Sequence, residues 1–127
     1  MQRVSILNPD LTLTMSQRPV PEPGPGEVLV RVKSVGVCGS DIHYFEHGRI
    51  ADFIVEGPLV LGHEASGVVE GLGDCVQDLA RGTTVAMEPG VPCGACHECR
   101  SGRYNLCPDV EFFATPPIDG AFCEYVV

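Results

Sequence analysis

Apolar and polar residues alternate along Val28–Lys33, with Val28, Val30 and Val32 on one side and Leu29, Arg31 and Lys33 on the other. A period of two predicts a half-buried strand. Shorter runs predict further strands at Ala65–Glu70, Thr83–Met87 and Ala121–Val127, the last slightly interrupted at Phe122, Glu124 and Tyr125. No stretch sustains a helical period. One short helix is predicted after Gly39, with Ser40 as N-cap, Asp41 in the first turn and Gly48 at the exit. Pro19-Val-Pro-Glu-Pro-Gly-Pro-Gly26 reads as an extended connector that cannot donate a regular ladder. Gly71-Leu-Gly73 begins like a dinucleotide-binding turn, but no helical pattern follows and the third glycine is missing, so it reads as a strand-to-turn transition. Short strands punctuated by 15 glycines and 11 prolines predict a mainly β fold, a barrel or sandwich, with an irregular lobe at about residues 89–108.

Composition narrows the class. A chain of 127 residues fits one domain, and 44% hydrophobic against 20% charged residues describes a globular protein. The formal charge of −9, with eight scattered basic residues, argues against nucleic acid as a partner. No apolar run reaches the length of a membrane span, and Met1–Pro9 lacks the pattern of a signal peptide. Seven cysteines is an odd number, which fits a reducing, cytoplasmic setting with metal-bound and free thiols.

The densest chemistry is Cys93, Cys96, Cys99 and Cys107, a C-x2-C-x2-C-x7-C run. Two intervening residues let neighbouring thiolates turn toward one ion, and four sulfurs complete the tetrahedral shell of a closed structural zinc site. Two disulfides are the alternative in an oxidising compartment. A full thiolate shell leaves no position for substrate, so chemistry is expected elsewhere. Cys38, His63 and Glu64 supply a second set, suited to a zinc that keeps one position open. By spacing alone, a buried cysteine and a hydrogen-bonded core histidine explain Cys38 and His63 as well. His47 and His97 read as solvated, and Cys75 and Cys123 as small buried hydrophobes.

Taken in order, Cys38-Gly-Ser-Asp-Ile-His43, Gly62-His-Glu-Ala-Ser-Gly-Val-Val69 and the four-cysteine run resemble the zinc-containing medium-chain dehydrogenases. His43–Ile50 and Phe113–Gly120 narrow the resemblance to the polyol branch, the sorbitol and xylitol dehydrogenases. The match covers nearly the whole chain. It implies a GroES-like β-barrel catalytic domain over residues 1–127, with a Rossmann domain absent from this chain and lying beyond Val127.

The same resemblance implies two zinc ions per chain and NAD as the hydride acceptor in the full-length enzyme, with no cofactor-binding residue in this chain. Cys38, His63 and Glu64 fall on the catalytic zinc ligands, and Cys93, Cys96, Cys99 and Cys107 on the structural ones. Asp41 falls on a position expected to hydrogen-bond the far nitrogen of the His63 ring, or simply to start the helix. Ser40 and His43 fall on a proton relay, with a helix cap as the plainer role for Ser40. Tyr44, Ile50, Phe112 and Thr115 fall on positions that line the polyol pocket, although Phe112 and Ile50 would pass singly as core residues. The implied reaction is oxidation of a polyol secondary alcohol to a ketose, with the isolated chain inactive and the full-length enzyme a dimer or tetramer. A non-catalytic zinc module, or another branch such as threonine dehydrogenase, is the alternative.

Overall fold

The computed structural model describes residues 1–127. In chain order its strands are β1 (Gln2–Leu7), β2 (Leu13–Arg18), β3 (Val28–Gly36), β4 (Arg49–Ile50), β5 (Phe53–Ile54), β6 (Leu59–Val60), β7 (Glu64–Leu72), β8 (Thr84–Ala86), β9 (Gly90–Val91), β10 (Glu111–Phe112) and β11 (Tyr125–Val126). Helix α1 (Gly39–His47) follows β3, and a single turn of helix, α2 (His97–Arg100), lies in the lobe. No helix is long and apolar enough to cross a membrane.

Two sheets carry the molecule. One has the order β2-β1-β6 and the other β11-β3-β7-β8, both antiparallel. The longest pairing is β3 with β7, and its register shifts twice, between Leu29 and Val30 and between Val32 and Ser34. Residues 120–126 stitch the two sheets together. Ser5 donates to the Phe122 carbonyl at 2.9 Å, Phe122 to that of Leu61 at 2.9 Å, and Val32 to that of Glu124 at 2.9 Å. This closure yields the mainly β architecture that the strand pattern and the resemblance imply.

Apolar side chains gather in separate clusters, and the one beside the β11-β3-β7-β8 sheet is built on Ala65, Ala121 and Val126. Leu7, Val55, Leu59, Leu61 and Ala114 form the largest cluster around Tyr44, and Val4, Ile6 and Val60 form another. Each fully buried aliphatic chain such as Leu7 stabilises the fold by about 2 kcal/mol. Only 21 residues are buried, and residues 89–110 contribute just one of them, Cys107. The lobe therefore has almost no core of its own.

Several expectations are revised. The N-cap of α1 is Cys38, not Ser40, because Asp41 three residues on accepts a hydrogen bond from the Cys38 amide at 2.9 Å. Cys75 is exposed rather than buried: it sits at φ 69° in the turn after β7, where Asp74 accepts from the Gly26 amide. Cys123 is half-buried and bonds the Tyr125 carbonyl at 3.1 Å. The stretches expected as strands at Thr83–Met87 and Ala121–Val127 shorten to β8 and β11. β7 ends at Leu72 and turns, as read from Gly71-Leu-Gly73.

Candidate metal centres

Cys38, His63 and Glu64 are brought together by the β3–β7 pairing. β3 ends at Gly36, opposite Glu64, and the chain then turns through Val37 into α1 with Cys38 at its cap. On the other strand, Gly62 adopts φ 89°, and a Cβ there would meet the Phe122 ring at 2.8 Å. Only glycine fits, and its sharp turn delivers His63 and Glu64 to the end of β7. One ligand atom from each of the three residues lies within 4.8 Å of the others. Cys38 and His63 are half-buried and Glu64 is exposed, so the group faces solvent on one side. Sulfur, imidazole and carboxylate at this separation suit a four-coordinate zinc with a position left over.

Asp41 holds this group by a different route from the expected one. Its two carboxylate oxygens accept from the amides of Cys38, at 2.9 Å, and Gly62, at 3.0 Å, and make no bond to the His63 ring. With Asp41 only 3% exposed, the carboxylate ties the backbones of both ligand segments together in a protected setting.

Around the group, Phe112 stacks its ring 5.6 Å from that of His63, tilted by 56°. Phe112 lies on β10, which leaves the lobe by pairing with β9. Tyr44 and Ile50 stand further back: Tyr44 is 4% exposed in the main core, and Ile50 packs against the same cluster. Burial pushes the Tyr44 phenol up, and its hydroxyl sits beside the Thr115 side chain, which works the other way. Ser40 is half-buried and His43 exposed, one turn apart on the same side of α1. His43 and His47 pack edge to face at 4.5 Å, and His47 and His97 are solvated, as expected.

The four lobe cysteines also converge, each offering a sulfur within 4.8 Å of the others. Cys93 Sγ and Cys99 Sγ are 3.9 Å apart, far beyond the roughly 2 Å of a disulfide, and all seven cysteines are free. Backbone amides point inward: Cys96 donates to Cys93 Sγ at 3.3 Å, Cys99 to Cys96 Sγ at 3.5 Å, and Cys93 to Cys107 Sγ at 3.4 Å. Amide donation from Ala95 and Cys96 pulls the Cys93 thiol down to about 7, while burial and the neighbouring Cys96 push Cys99 up to about 12. Four converging sulfurs with amides turned toward them match the donor set of a closed tetrahedral metal site. Glu98 and Arg103 brace the lobe with an ion pair at 3.0 Å.

The sequence reading passed over Gly36. An isolated glycine inside a strand pattern signals a close approach, and here it faces Glu64.

A family model described as the alcohol dehydrogenase GroES-like domain matches residues 24–127. Sorbitol dehydrogenase of Gallus gallus is 58% identical over 113 residues, which cover 89% of this chain and 32% of that protein. Among solved structures, L-idonate 5-dehydrogenase of Escherichia coli superposes with a TM-score of 0.89 at 32% identity, covering 99% of this chain and 37% of that one. An alcohol dehydrogenase of Pyrobaculum aerophilum with cobalt and zinc bound gives a TM-score of 0.82 at 30% identity, covering 98% and 38%. The chain spans about a third of the length of the curated relatives it matches.

Proposed function

The chain belongs to the alcohol dehydrogenase GroES-like domain family, and from that premise we propose that it forms the zinc- and substrate-binding part of an NAD-dependent polyol dehydrogenase of the sorbitol or xylitol type. Residues 1–127 make one such domain, with the four-cysteine lobe at about residues 89–108 as its structural zinc site. The observation that carries this reading is the convergence of Cys38, His63 and Glu64 on one open point beside Phe112. The 58% identity to a sorbitol dehydrogenase favours a polyol over other alcohols.

Zinc, when bound at that point, acidifies an alcohol hydroxyl and so eases the departure of hydride toward a nicotinamide ring. Cys38, His63 and Glu64 hold the ion, and Asp41 fixes the two backbone segments that present it. Phe112 covers one side of the His63 ring and limits access for water. Ser40 and His43, adjacent on one face of α1, carry the released proton outward, His43 reaching solvent. Thr115 borders the polyol, with Tyr44 and Ile50 shaping its pocket from the core behind. NAD binding is assigned outside residues 1–127, so the isolated chain turns over little or no polyol. The full-length enzyme is a cytoplasmic dimer or tetramer.

Native mass spectrometry of the purified chain tests the metal assignment. Two zinc ions are expected, one lost in Cys38→Ala/His63→Ala and the other in Cys96→Ala. For the reaction, residues 1–127 exchanged into the chicken sorbitol dehydrogenase should support sorbitol- or xylitol-dependent NAD reduction that His63→Ala abolishes. A metal-free chain with disulfides among Cys93–Cys107, or a folded exchange variant inert toward both polyols, overturns the reading.

A further inference from the structure

Gly36 stands directly opposite Glu64 in the antiparallel register of β3 and β7. The Glu64 side chain lies back across the space that Gly36 leaves open. A Cβ on Gly36 would fall 2.5 Å from Glu64 Oε2, 3.2 Å from its Cβ and 3.6 Å from its Cδ, so its three nearest neighbours all belong to one side chain. Gly36 is not among the glycines with positive φ, so its backbone conformation does not demand glycine. Gly67 and Gly73 differ: a Cβ on either would collide with backbone carbonyls, those of Arg31 and Gly24. Those two glycines serve the fold, whereas Gly36 serves a carboxylate.

Resting on the zinc reading of Cys38, His63 and Glu64, we infer that Gly36 is a positioning residue that sets the Glu64 carboxylate on the metal. A methyl group at residue 36 collides most severely with the free end of a flexible side chain, which can swing aside, while the 3.2 Å approach to Glu64 Cβ asks only a small adjustment of the two strands. The cost falls on the ligand set, which drops toward Cys38 and His63 alone. Glu64 is the exposed member of the group and has no hydrogen-bond partner to hold it, which leaves the bare face of Gly36 as its template.

The test uses the 127-residue chain, stripped of metal and titrated with zinc against a chromophoric chelator, with cobalt absorption to tell the mixed-ligand site from the four-thiolate one. Gly36→Ala should weaken the mixed site roughly tenfold and leave the four-thiolate spectrum unchanged. Gly39→Ala is the matched control, because a Cβ there meets nothing within 4 Å. In a Glu64→Ala background the added methyl should change affinity by less than about twofold, since the carboxylate it displaces has gone and only the Cβ contact remains. Equal weakening in both backgrounds, no weakening with Glu64 present, or a metal-free Gly36→Ala chain that unfolds far more easily than Gly39→Ala overturns the inference. A chain with no substitution that takes up only one metal removes the zinc reading itself, and the inference with it.

Discussion

One carboxylate oxygen of Asp41 accepts a hydrogen bond from the Gly62 amide at 3.0 Å, across 21 residues of sequence. The other accepts from the Cys38 amide, so one buried carboxylate clamps the segments that carry Cys38 and His63. Asp41→Ala strands two donors and should cost about 2–4 kcal/mol of stability in the metal-free chain. It should also lower zinc affinity at the mixed site by roughly tenfold to a hundredfold. Asp41→Asn keeps an acceptor oxygen and should lose less of both. Urea unfolding and chelator competition measure the two effects, and an Asp41→Ala chain unchanged in zinc affinity would disprove the clamp.

Removing metal should disorder the lobe before anything else. Cys107 is its one buried residue, and its inward amides point at sulfurs rather than at a packed core. Hydrogen exchange on the chelated chain should show lost protection at residues 93–107 and retained protection in β3 and β7. Phe112 should loosen as well, because β10 leaves the lobe to carry its ring to His63. Uniform loss of protection across the sheets would mean that the metal supports the whole domain.

What could be read from the sequence divides along the range of each interaction. The Val28/Val30/Val32 alternation and the four-cysteine spacing are local patterns, and both correspond to what the chain builds. The β1–β2 hairpin went unread. Its first strand opens on Gln2, a polar residue that is 7% exposed because its side-chain oxygen accepts from the Tyr125 amide, 123 residues away. Its turn relies on Leu11 at φ 65° instead of a glycine that would have announced it. Ser40 has the better capping side chain, yet Cys38 caps α1 because Asp41 reaches back to it. The same carboxylate also accepts from the Gly62 amide, and no window around residue 40 contains that second partner. Tyr44 carries a hydroxyl suited to a pocket, but Leu7 and Leu59 arrive from distant strands to enclose its ring.

Acid should weaken the closure between β1 and the last segment. The Arg3 guanidinium, with Nη2 2.7 Å from Glu124 Oε1, and the Arg3 amide hold the Glu124 carboxyl below its ordinary value. A lowered pKa means that the stabilisation is complete above the unfolded value and fades as pH falls through the folded one. Glu124→Gln should therefore flatten the acid limb of a stability-versus-pH curve. A residual slope should persist from Asp10, which the Thr12 hydroxyl and amide also hold low. Both groups are at the surface, so added salt should shrink the Glu124 effect. An unchanged acid limb in Glu124→Gln would place the sensitivity elsewhere.

Thiol reactivity separates the seven cysteines by environment. Five belong to the two clusters, leaving Cys75 and Cys123. Cys75 is exposed in its turn, while burial above all pushes the Cys123 thiol up to about 11. At about pH 8 the zinc-loaded chain should therefore present one fast thiol, Cys75, to a maleimide. Chelation should release the five cluster thiols to the reagent, with Cys123 still slow. Peptide mapping identifies the order. The slow reaction of Cys123 reflects more than a high pKa, since its neighbour Phe122 bonds both Ser5 and Leu61 and the segment must leave both partners to expose the sulfur. Early labelling of Cys123 in the zinc-loaded chain would mean that residues 120–126 open independently of the rest, and that the two sheets are not held closed by that segment.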